Sequence, residues 1–242
     1  MKKSIPIPAA AAIRPAAARL AAVSGLLFIV LFAVLHLLKP DLDPSWRPIS
    51  EYALGPFGWL MTIGFLTLAI ACVSLVVAIA SQVKTWPGRV GLAGLGLAGL
   101  GFLIAGVFPT DPVTTAPEDL TATGMLHTIG PVLADGIPLA AILVGWCLAR
   151  RNPNWASARG WLLAGAILAV SAFLLLTVSL MTLLPPSGML GPDVPTGWQG
   201  RFLMVAYAGW IVIVGVMALR VRREHAGTSS RAASVDRERA DA

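Results

Sequence analysis

The sequence predicts an all-α polytopic membrane protein, a six-transmembrane-helix bundle with an N-in/C-in orientation. Three observations predict it. Of 242 residues, 57% are hydrophobic and 12% charged, with a mean hydropathy of +0.78. A soluble domain carries about 25% charged residues, so this chain cannot clothe a water-facing surface. Six apolar runs reach the roughly 20 residues that a spanning helix needs. Finally, of 18 Lys and Arg residues only Lys39, Arg47 and Arg201 fall outside when the N-terminus is placed inside, which satisfies the positive-inside rule. The same distribution assigns the net charge of +6 to topology and anionic headgroups, with the lipid bilayer as partner and no nucleic acid.

Residues 1–18 are Ala/Pro-rich, with Lys2, Lys3 and Arg14, and read as a flexible cytoplasmic segment. The run from Leu20 to Leu38 exceeds the signal-peptide apolar region of about 7–15 residues and has no small-x-small site after it. It is therefore the first span, over 19–38. The others are 58–80, 89–108, 124–149, 158–184 and 200–220, so that 19–222 forms one transmembrane domain. Helices satisfy their own backbone polar groups in lipid, and short connectors make neighbours antiparallel. Residues 223–242 are Ser/Arg/Ala-rich and read as a disordered cytoplasmic tail. The outer connectors carry most of the acids and prolines, including Asp41, Asp43, Glu51, Asp111 and Asp193. Proline restricts itself and its predecessor, so these connectors are stiff.

Within the third span, Gly91, Gly94, Ala98, Gly101 and Ala105 line one face and let a neighbouring helix approach closely. Trp46, Trp59, Trp86, Trp155, Trp161 and Trp198 fall near span ends, as an interfacial belt would. Cys72 and Cys147 lie inside apolar runs and read as small core residues.

Few residues can carry chemistry. His36 and His127 sit at the same outer depth, near Asp111. Zinc would require three or four such ligands; no local His/Cys spacing supplies them, so no cofactor is assigned. Ser50 could cap a turn, or act as a nucleophile with His127 and Asp111. Arg201 is expected to pair with Glu51 or Asp111, or to hold an anionic ligand. Asp135 lies about 16 Å into the fourth span at 1.5 Å per residue, and an intramembrane acid is a functional-site hypothesis by default. It shares a face with His127, Pro131 and Pro138; Ser171 or Ser74 are its expected partners.

ISEYALGPFGWLM (Ile49 to Met61), FPTDP (Phe108 to Pro112), GWQGRF (Gly197 to Phe202) and the two outer histidines resemble the DUF998 family of prokaryotic multi-pass membrane proteins. The resemblance covers about 20–222. It implies a fold and a membrane location but no reaction. It also implies that His36, Ser50, Glu51, Asp111, His127 and Arg201 form a shared outer-face cluster; Asp135 is not part of that pattern.

Three functions are compatible with these residues. The first is a non-enzymatic ligand-binding, sensory or scaffolding bundle in the cell membrane, which takes a small molecule or lipid. The second is a metal-dependent hydrolase of lipid amide or ester bonds, similar to the ceramidase and receptor-like superfamily. Those proteins use a Ser, an Asp and three membrane histidines, and this chain has two. The third is a small-solute or proton-coupled transporter built on Asp135. The residue content favours the first.

Overall fold

The structure, a computed structural model, describes residues 13–240, the last helix as backbone alone beyond 227. Its elements are α1 (Pro15–Leu38), α2 (Gly58–Ile79), α3 (Trp86–Val107), α4 (Ala122–Ala134), α5 (Gly136–Trp146), α6 (Arg159–Leu183) and α7 (Gly197–Ala240). No strand occurs among the described residues. Six segments of them are long and apolar enough to cross a membrane, α4 and α5 together forming the fourth. The protein is a multi-pass helical bundle.

The spans form a ring in chain order. Each packs on the next, and α7 closes the ring against α1 and reaches across to α2. One face carries the long proline-bearing connectors, where the Gly197 amide donates to the Ser45 carbonyl at 2.9 Å. At the opposite face the Arg14 amide donates to the Ala78 carbonyl, and Asn152 and Trp155 donate to Gln82.

The entry to α2 shows why ALGPFGW reads as it does. Gly55 and Phe57 both have positive φ, at 65° and 62°, and a Cβ at Gly58 would strike the Ala53 carbonyl. The chain thus reverses within a few residues and leaves the Ile49–Ala53 turn folded against the bundle.

The fourth span is broken at Asp135. Pro138 has no N–H to offer the Ala134 carbonyl, and Pro131 lies inside α4. The small-residue face of α3 packs against both halves. A Cβ on Gly94 would lie 3.1 Å from the Gly136 carbonyl oxygen, and one on Gly101 2.8 Å from the Leu133 Cβ. The half nearer the proline-bearing connectors, α4, packs chiefly on α3, whereas α5 packs on α3 and α6. A cleft therefore opens between α4 and α6, backed by α7.

Three expectations are corrected. Residues 15–18 are helical rather than a flexible lead, because proline suits the first helical turn and alanine favours helix; residues 1–12 lie outside the described residues. The helix of the last span continues to Ala240 where a disordered tail was expected over 223–242. No proline interrupts it, and Arg220 pairs with Glu224 at 3.1 Å one turn on; residues 241 and 242 lie outside the described residues. Of the expected tryptophan belt, Trp59, Trp86, Trp161 and Trp198 are exposed, but Trp46 and Trp155 are buried. Cys72 and Cys147 are buried and free, as expected.

The α3 seam makes a paired prediction. Gly101→Leu should lower stability by roughly 1–3 kcal/mol through overpacking. Gly96→Ala, whose Cβ meets nothing within 4 Å, should be neutral or stabilising by up to about 1 kcal/mol. Thermal unfolding of both variants in one detergent checks this; equal losses would contradict it.

Candidate functional site

Arg201 is the most connected side chain on the loop-bearing face. It is 4% exposed. Its Nε donates to His36 Nε2 at 2.9 Å, Nη1 to the carbonyls of Arg47 (2.9 Å) and Gly197 (3.0 Å), and Nη2 to the Tyr52 hydroxyl at 3.2 Å. Its guanidinium lies over the rings of Tyr52 and Trp198. The expected partners, Glu51 and Asp111, are not among these contacts. Neutral acceptors on three chain segments take their place, because the planar fork can reach several carbonyls and ring atoms at once.

The bond from Arg201 fixes the state of His36. A guanidinium only donates, and a backbone carbonyl only accepts. His36 Nδ1 lies 2.8 Å from the Phe32 carbonyl oxygen. Its ring must therefore carry hydrogen on Nδ1 and a lone pair on Nε2, and both nitrogens are committed.

Glu51, 2% exposed, has a different task. Oε2 pairs with Arg47 at 2.9 Å, and Oε1 accepts from the Val113 amide at 2.8 Å. It fastens the first loop of this face to the second. Asp111 accepts from the Thr121 amide (2.8 Å) and hydroxyl (2.9 Å), and Thr121 in turn caps α4 at Gly124. Lys39 donates to the carbonyls of Tyr52 and Leu54; burial pushes its ammonium below the usual lysine range, opposed by the charge of Glu51. The Ser45 amide holds the Asp43 carboxyl below the usual range.

The cleft between α4, α6 and α7 holds a cavity of about 300 Å³. Its walls are mainly apolar, with Phe65, Phe102, Leu176, Leu180 and Met204 among them. Polar groups enter from five places: Ser50, His127, Asp135, Thr196 and Tyr207. His127 is 3% exposed, with Nδ1 2.8 Å from the Phe108 carbonyl oxygen and Nε2 buried without a partner. The Tyr207 hydroxyl donates to Asp135 Oδ1 at 3.0 Å. Ser50 caps nothing, since the Ile49–Ala53 turn starts without a side-chain cap. A larger groove of about 720 Å³ lies between α5 and α6, but its polar lining (Arg150, Arg159 and Ser171) is exposed rather than buried.

The implied single cluster thus divides. His36 and Arg201 form a clasp, Glu51 and Asp111 order the loops, and Ser50 and His127 line the cavity with Asp135. Neither expected serine partners Asp135; Tyr207 does. The order a Ser-His-Asp relay needs is also missing, because Asp111 is held by Thr121 and His127 Nδ1 faces a carbonyl. His36, His127 and Asp111 do not converge, and no group of three or more His, Cys, Asp or Glu side chains that could hold a metal occurs among the described residues. Sequence reasoning missed Tyr52, Arg47 and Tyr207. Tyrosine is scarce here, with two in the chain, and that scarcity in an apolar sequence was the available signal.

The clasp can be tested by a double-mutant cycle. Arg201→Lys should cost about 1–3 kcal/mol, since a point-charge ammonium cannot replace the fork and leaves buried acceptors unmet. Tyr52→Phe should cost about 1 kcal/mol alone and markedly less in the Arg201→Lys background. Strictly additive losses would mean that the two side chains do not share a network.

No curated protein and no solved structure matches the chain. One family model does, over residues 22–219, and its description is "Protein of unknown function (DUF998)". By a match that takes in all six spans, the chain belongs to the DUF998 family.

Proposed function

We propose that this protein is a non-enzymatic ligand-binding bundle of the cell membrane, with both termini cytoplasmic. Its ligand is a small molecule or lipid with an apolar body, held in the cleft between α4, α6 and α7. The observation that carries this reading is the pairing of an apolar cavity with the buried, unpartnered Nε2 of His127. Buried polar atoms are nearly always hydrogen-bonded, and a binding site is typically apolar with a few directed polar groups.

Two further points support it. The cavity volume of about 300 Å³ falls at the lower end of ligand pockets. The cleft lies within the spans, where a lipid-soluble molecule has access without crossing the loops. A Ser-His-Asp hydrolase would need a carboxylate at His127 Nδ1 to stabilise the imidazolium, and the Phe108 carbonyl found there orients the ring without supplying that charge. The placement of the termini rests on the basic residues, which gather on the face away from the proline-bearing loops.

Gly200 offers a clean test. It lines the cavity, and a Cβ there meets nothing within 4 Å, so Gly200→Phe should fill the space without disturbing the fold. Native mass spectrometry of protein released from nanodiscs should show a retained small molecule or lipid on the wild type and little or none on Gly200→Phe. Equal retention by two equally folded proteins would sink the reading.

A further inference from the structure

Two acceptors on one wall of the cavity define what it should bind. This step rests on the cavity being the ligand site. His127 Nδ1 faces the Phe108 carbonyl oxygen at 2.8 Å. A carbonyl only accepts, so Nδ1 carries the hydrogen and neutral His127 presents a lone pair at Nε2. Three buried side-chain atoms lack a hydrogen-bond partner among the described residues: His127 Nε2, Gln199 Oε1 and Trp210 Nε1. Of these residues, His127 alone lines the cavity.

The second acceptor is Asp135. Oδ1 takes the Tyr207 hydroxyl hydrogen, and Oδ2 accepts from no described residue. His127 and Asp135 are separated by about two turns on the same helix face, a rise of about 12 Å. The cavity therefore presents one acceptor near the loops and one deeper, with apolar wall between. No Lys or Arg lines it. Arg201 lies alongside, but its Nε and both terminal nitrogens already donate to His36, the Arg47 and Gly197 carbonyls and Tyr52.

We infer that the cavity selects an elongated apolar molecule carrying hydrogen-bond donors, hydroxyl or ammonium, and rejects amphiphiles with carboxylate heads. A hydroxyl or ammonium satisfies the His127 lone pair, and an ammonium also complements Asp135. A carboxylate meets no cation here, and only the Ser50 and Thr196 hydroxyls could donate to it, against the acceptors on His127 and Asp135. Unpaired charges and desolvated polar groups are a common device for excluding the wrong ligand.

The test is competition against a fluorescent alkyl probe in phosphatidylcholine nanodiscs. The competitors are an alkyl alcohol, an alkyl amine and an alkyl carboxylate of equal chain length, each corrected for partition into empty nanodiscs. The alcohol and amine should compete at concentrations at least about tenfold below the carboxylate, the factor that one net hydrogen bond of about 1.4 kcal/mol supplies. Asp135→Asn should remove the advantage of the amine over the alcohol while leaving the alcohol unchanged. His127→Phe should remove the advantage of the alcohol over the carboxylate; Asp135→Asn, being isosteric, keeps the test sound if that variant misfolds. A wild type that takes the carboxylate as well as the alcohol overturns the inference but leaves the cavity as a ligand site. No displaceable probe binding in the wild type, with Gly200→Phe indistinguishable from it, overturns the cavity reading and this inference together.

Discussion

A buried guanidinium with no carboxylate beside it sets the arrangement of the loop-bearing face. Removing the Arg201 charge from water is costly, and the cost is offset by bonds to His36, Tyr52 and two carbonyls. Those partners come from α1, the loop between α1 and α2, and α7, so one cation fixes three segments of the chain. The connection then passes on. Arg47 gives its carbonyl to Arg201 and its guanidinium to Glu51, and Glu51 accepts from the Val113 amide of the second loop. The first two loops of this face thus hang from Arg201, one directly and one through a relay.

That anchoring has a consequence for the cavity. Trp46, Pro48, Ile49 and Ser50 belong to the anchored loop and form part of its wall. The helices supply the remainder through an imbalance in packing. Small residues on α3 draw α4 close to it, and Pro138 breaks the fourth span so that α5 alone turns to meet α6. The space left between α4 and α6 follows from these two features. His127 and Asp135 both line it, His127 from α4 and Asp135 from the junction with α5.

Much of the membrane architecture was legible in the sequence, since spanning length and hydropathy are properties of local runs. The α3 seam was legible for the same reason: its spacing alone places the small residues on one face. Partner choice was not. Charge alone pairs Arg201 with a carboxylate, yet Glu51 is taken by Arg47, four residues away in its own loop. Trp46 and Trp155 have the sequence position of belt residues, but loop and turn packing buries them. The break in the fourth span falls between Pro131 and Pro138, which the sequence displays; the residue facing it is not legible there, because Tyr207 lies on a helix that is remote in sequence.

The sequence by itself determined that this chain lives in lipid, crosses it six times and keeps its stiff, acidic connectors on one side, because solvent compatibility and proline geometry act residue by residue. The tertiary structure decided which polar groups become structure and which stay available. Arg201, His36, Glu51 and Asp111 were absorbed into bonds that order the loops, while His127 Nε2 was left buried and unmatched beside Asp135. That division depends on which helices come within hydrogen-bonding distance, and only the closed ring of spans sets those distances.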